Sequence, residues 1–221
     1  MHEEFLILAL IGGLISLDVT VLGQWMVSRP LVSGVIIGTL LGDTWAGFKV
    51  GVIIELVWVN VIPVGVAIPL DVSVVSILAS SWFLIANRVS MAALVLGITF
   101  AIPAGMLFKM IDVEMRRRNV FMIHHVDTWV KNGKENRIPL LIYVGIILTF
   151  LRSFVFLYGM LYVGWLIIAY LIGVLPTSLL QGLRFASEVL PLLGIVIALH
   201  GIHFKASEAI GAYVQTVKGK K

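Results

Sequence analysis

Residues 41–71 read LGDTWAGFKVGVIIELVWVNVIPVGVAIPLD, and the fold turns on this stretch. It is mostly apolar, yet it carries Asp43, Glu55 and Asp71 and is broken by Pro63, Gly65 and Pro69. A charge at bilayer depth costs at least about 2.5 kcal/mol, so it persists mainly where it is paired or functional. On a straight helix, Glu55 and Asp71 would lie about 24 Å apart along the axis, close to the roughly 30 Å of a hydrocarbon core. Pro63 sits midway between them; proline removes a backbone donor and clashes with the preceding turn. Gly65 permits a chain reversal. The spacing predicts a re-entrant hairpin over about residues 47–71, with its tip at residues 60–65 and Pro63, Gly65 and Pro69 as hinge. Both carboxylates then return to one depth. Such backbone is tolerated where it is buried in protein or lines a wet cavity. The competing arrangement is a proline-kinked spanning helix with one carboxylate near each interface.

Composition sets the class. Of 221 residues, 60% are hydrophobic and 13% charged, and the mean hydropathy is +1.06. Soluble domains are about 25% charged. The chain is expected to be an all-α, polytopic helical membrane protein with broken helices. His2, Glu3 and Glu4 are the wrong start for a signal peptide, and none is expected. With no cysteine, disulfides, thiolate catalysis and Cys-ligated metals are excluded; no cofactor or metal is expected. The net charge of +4 resides largely in loops and tail, as the positive-inside rule describes, and does not signal nucleic acid.

Outward from the central stretch, four parts are expected: a membrane half over 1–108, a cytoplasmic basic loop over 109–137, a second membrane half over 138–204 and a polar basic tail over 205–221. The first helix is expected to continue past Asp18. That residue is either an interfacial carboxylate paired with Arg29 or, with Gln24, part of a polar cavity. Gly34, Gly38 and Gly42 repeat every four residues, a close-packing face. Ser73, Ser76 and Ser80 share a face suited to interhelical hydrogen bonds. Residues 109–137 hold seven Lys or Arg against four acids, with an interfacial amphipathic helix expected over 110–130. His124 and His125 read as loop histidines. Arg152 is followed by thirty-one uncharged residues and must face protein or water, as a structural ion pair or a substrate contact.

Leu17-Asp18, Gln24, Ser28-Arg29-Pro30-Leu31, Gly38, Leu41-Gly42-Asp43, Gly47, Gly51, Glu55, Gly65 and Pro69-Leu70-Asp71 occur in that order. Together they resemble the IIC component of the mannose/sorbose-family bacterial phosphotransferase system (PTS), most closely over about residues 12–85. The resemblance implies a sugar-conducting subunit in the bacterial cytoplasmic membrane, oligomeric and partnered by a IID subunit. Soluble IIA and IIB proteins would perform phosphoryl transfer, so the chain is not an enzyme by itself. Glu55 and Asp71 become the leading contacts for a hexose-type sugar, since a carboxylate accepts charge-assisted bonds from adjacent hydroxyls. Asn60, Asp18 and Gln24 are further candidates; Arg29, Asp43 and Arg152 are structural or substrate residues. The chain also looks short after Gly182-Leu183 for this family.

Two other classes remain open. An ion-coupled secondary transporter would use Glu55 and Asp71 as proton or sodium sites, and its uptake would follow an ion gradient rather than phosphoenolpyruvate. A membrane scaffold or sensor docking PTS proteins would bind partners without any sugar uptake.

Overall fold

The computed structural model describes residues 2–18, 21, 23–59, 70–87 and 91–218. Within them the backbone forms α1 (His2–Leu17), α2 (Pro30–Leu40), α3 (Thr44–Trp58), α4 (Val72–Asn87), α5 (Ala93–Lys131), α6 (Ile138–Val174) and α7 (Thr177–Lys218), with a 3-10 turn at Glu135–Arg137 before α6. No strand occurs among the described residues. Among the described residues, three helices have spans long and apolar enough to cross a membrane: Ala93–Val120, Ile138–Val174 and Thr177–Gly201.

The centre is α4, which packs against α1, α2, α3, α5 and α6. It carries no charged residue, as suits an enclosed helix; Val74, Val75, Ile77, Leu78 and Trp82 are all buried, and so are Ser73, Ser76, Ser80 and Ser81. The Trp82 indole donates to the Leu161 carbonyl at 3.2 Å and packs against Gly164, where any side chain would collide with the ring. Gly105 faces Val75, and Gly97 faces Ala79, so α5 returns antiparallel to α4. Ser16 bonds Ser153 at 2.9 Å and Phe5 meets Tyr162, so α6 runs antiparallel to α1.

Helices α2 and α3 form a short antiparallel hairpin. Its turn is Gly42, at φ +84°, and Asp43 caps α3 by accepting from the Ala46 amide at 2.9 Å. Eleven and fifteen residues give about 16 and 22 Å of helix, each short of a bilayer core. Lipid tails are as apolar as leucine, so helices in a bilayer associate through close backbone contact at small residues. That contact is the seam of Gly34 and Gly38 against Gly47 and Gly51. A Cβ on Gly34 would lie 2.6 Å from the Gly47 carbonyl, and one on Gly51 2.5 Å from the Pro30 carbonyl. Gly42 stands outside the seam and makes the turn.

Several expectations change. Helix α1 ends at Leu17 and does not pass Asp18, because the Asp18 carboxylate is taken by backbone further along. Residues 109–131 are neither a loop nor a separate interfacial helix. They continue α5, since no glycine or proline interrupts them and Asp112–Arg116 and Glu114–Arg118 form i,i+4 pairs that support the helix. The tail expected from residue 205 is helical to Lys218 as part of α7. The break between α6 and α7 falls at Leu175-Pro176, where proline disfavours the helical conformation of the residue before it. The hairpin tip at residues 60–65, with Asn60, Pro63, Gly65 and also Pro69, lies outside the described residues.

Candidate functional site

The α2–α3 seam sets the position of Glu55. Gly51, one turn earlier on the same face, brings α3 against the Pro30–Leu31 peptide at the start of α2. Glu55 Oε2 then accepts from the Leu31 amide at 3.4 Å, a placement favoured by the free donors at a helix N-terminus. The carbonyl of that same peptide accepts from Ser76 Oγ at 3.0 Å, and Ser33 Oγ lies 3.1 Å from Ser76 Oγ. One peptide unit therefore ties α2 to α3 on one side and to α4 on the other.

Glu55 Oε1 accepts from Arg29 Nη1 at 2.9 Å, with the two side chains 21% and 54% exposed. Arg29 thus pairs with Glu55 and not with Asp18. Exposed pairs are worth no more than about 1 kcal/mol, so this one can yield to a ligand.

Asp18 is buried and binds its own loop. Its Oδ1 accepts from the Trp25 amide at 2.7 Å, and its Oδ2 from the Ser28 amide at 3.1 Å and the Ser28 hydroxyl at 3.0 Å. This clamp holds Gln24 and Met26 in the left-handed region, φ 52° and 65°, which non-glycine residues rarely adopt. Gln24 and Trp25 are exposed on the loop that leads into Arg29.

Asp71 caps α4. Its Oδ1 accepts from the Ser73 and Val74 amides at 3.2 and 3.3 Å and from the Ser73 hydroxyl. Five residues separate it from Ser76, about 7.5 Å along a helix. Because Ser76 holds the peptide that Glu55 also holds, Glu55 and Asp71 lie at one end of the α2–α3–α4 layer. Asp43 lies at the other, twelve residues back along α3.

A charged residue absent from the sequence reading completes this end. Asp112 of α5 acts electrostatically on Asp71 and pairs with Arg152 Nη1 of α6. It also accepts from Arg116 Nε at 2.7 Å. The Asp112 and Arg152 side chains are only 14% and 12% exposed, and the guanidinium stacks on Phe108 at 4.9 Å. Arg152 is therefore held in an ion pair. The available signal for Asp112 was its place four residues before Arg116, on a stretch expected as an interfacial amphipathic helix. Five of the six charged candidates, Asp18, Arg29, Glu55, Asp71 and Arg152, gather with Asp112 at the level where α1 ends and α4 begins. Beyond it α5 and α6 run on together for about four to five turns, largely exposed.

The family model described as "PTS system sorbose-specific iic component" matches residues 4–210. The fructose permease IIC component of Bacillus subtilis is 23% identical over 195 residues, 88% of this chain and 70% of that protein. The mannose-specific EIIC component of Escherichia coli K12 is 25% identical over the same shares. Among solved structures, the cryo-electron-microscopy structure of mannose transporter ManYZ in complex with microcin E492 superposes with a TM-score of 0.59 at 22% identity, covering 97% of this chain and 85% of that chain.

Proposed function

Since the chain belongs to the sorbose-specific IIC component family of the phosphotransferase system, we propose that it is the sugar-translocating membrane subunit of such a system and that Glu55 and Asp71 hold the sugar. The observation that carries the site is the shared tether at the Pro30–Leu31 peptide. It puts two carboxylates sixteen residues apart in sequence at one end of the same helical layer. Glu55 is partly exposed and its Arg29 partner half-exposed, so vicinal hydroxyls of a hexose can replace the guanidinium. Asn60 and Gln24 are secondary contacts in this reading, with residues 60–69 as hinge. Asp18 acts through the loop it clamps.

Losing a charge-assisted hydrogen bond costs about 1.5–3 kcal/mol, about ten- to hundredfold in Kd. Glu55→Gln and Asp71→Asn are each expected to weaken sugar binding by that factor in calorimetry on folded, purified protein. The double variant should lose less than the sum, because groups sharing one ligand are not additive. Unchanged affinity in both would leave Glu55 as a clamp on α2 and Asp71 as a helix cap, and end the assignment.

In this reading the protein resides in the bacterial inner membrane, assembles with a IID subunit and receives soluble IIA and IIB proteins, which perform phosphoryl transfer. The docking surface is the α5–α6 arm at residues 109–137, where the Arg117 and Arg118 side chains are 78% and 76% exposed. Lys and Arg of short loops mark the cytoplasmic side. The chain has no cysteine, so Asn132→Cys introduces a single label site. A membrane-impermeant maleimide is expected to leave it unlabelled in intact cells and to label it in inverted vesicles. Labelling in intact cells would reverse the orientation and remove the docking surface.

A further inference from the structure

Along α3 from Glu55 toward the α2–α3 turn lies a cavity of about 730 Å³, between α3, α7 and the facing ends of α4 and α5, lined on α3 by Phe48, Lys49, Val52 and Ile53. Its size is that of a small-molecule site. Phe48, Phe83 and Leu94 contribute to a mainly apolar wall, and Lys49, Arg184 and Glu188 line it as well. Glu188 is one turn from Arg184, yet among the described residues no ion pair joins either of them to Lys49 or to each other. The cavity therefore holds two cations against one carboxylate, an excess of one positive charge, over an apolar floor.

A free sugar does not suit such a wall. It needs a dense set of donors and acceptors, and the one hydroxyl here, Ser187 Oγ, is committed to the Arg184 carbonyl at 2.6 Å. An amphiphile with a negative head does suit it. Arg184 lies seven residues into α7, about 10 Å from its start, within snorkelling reach of the headgroup region. Just beyond the cavity, α7 exposes Leu192, Leu193 and Val196, so the apolar wall is continuous with a lipid-facing surface. We infer that this cavity binds an anionic phospholipid, with its acyl chains against Phe48, Phe83 and Leu94 and its phosphate held by Lys49 and Arg184.

Native mass spectrometry of the full chain in mild detergent tests this, titrating phosphatidylglycerol against phosphatidylcholine of the same chains. Wild type is expected to retain phosphatidylglycerol at least about tenfold more tightly, the scale of one charged hydrogen bond. Lys49→Gln with Arg184→Gln should abolish the preference and leave phosphatidylcholine retention unchanged, which also reports that the variant is folded. Lys49→Arg with Arg184→Lys keeps both charges and should keep the preference. Equal retention of the two lipids by wild type, or a preference surviving in the neutral variant, would overturn the assignment. So would displacement of phosphatidylglycerol by millimolar inorganic phosphate, which marks a free-anion site, or by hexose, which marks a sugar pocket.

Discussion

Gly47→Ala is expected to prevent the α2–α3 hairpin from closing. The added methyl would strike the Gly34 carbonyl and lie 2.7 Å from the Gly38 Cα. Both obstacles are backbone, so no side chain can rotate away. Overpacking typically costs about 1–3 kcal/mol, and a clash with backbone on two sides belongs at or above the top of that range. Helix α3 can escape only by separating from α2, which withdraws Glu55 from the Leu31 amide. Thermal unfolding in one detergent should show a large drop in midpoint and in folded yield. Gly145→Ala and Gly159→Ala provide the contrast. Both lie on α6 with nothing within 4 Å of the new methyl, and alanine is favoured over glycine inside a helix by roughly 0.5–1 kcal/mol. Those variants should be neutral or slightly more stable. Near-wild-type stability of Gly47→Ala would mean that the hairpin is not held by this seam.

Arg152→Met should be the other severe substitution. Arg152 and Asp112 are both largely enclosed. Removing one partner of a buried pair costs about 3–5 kcal/mol, because the remaining charge is stranded. Here the stranded carboxylate would also add its repulsion to Asp71. Arg116 contacts the same carboxylate but is half-exposed, so it replaces little of the lost interaction. Adding Asp112→Asn removes the stranded charge, and the double variant should recover much of the loss. A double-mutant cycle of thermal stabilities reads the coupling directly. Additive losses would show that Arg152 acts through its stacking on Phe108 and not through Asp112.

What the sequence determined by itself is local or periodic. Hydropathy identified a helical membrane protein, because an uninterrupted apolar run has few other stable states. The four-residue glycine spacing at 34, 38 and 42 marked a face that packs backbone to backbone, because helical periodicity alone aligns it; that Gly47 and Gly51 form the other side of the seam, and that Gly42 stands outside it, came from the structure. The ordered set from Leu17 to Asp71 was enough to indicate the family. Hydropathy misled where charge runs met helix. Residues 110–130 were expected as a separate interfacial helix within a basic loop, yet i,i+4 ion pairs and a lack of glycine and proline keep them continuous with α5.

Partner choice was settled only by the tertiary structure. Arg152 meets Asp112, forty residues away, because α5 and α6 run antiparallel at that level. Arg29 meets Glu55 because the glycine seam brings α3 against the start of α2. Asp18 ends its helix because a loop seven to ten residues further on offers amides at the right distance. A charged side chain carries no sequence mark of its partner. Its partner is whichever opposite charge or free amide the packed backbones place within a few ångströms, and that distance is a property of the assembled fold.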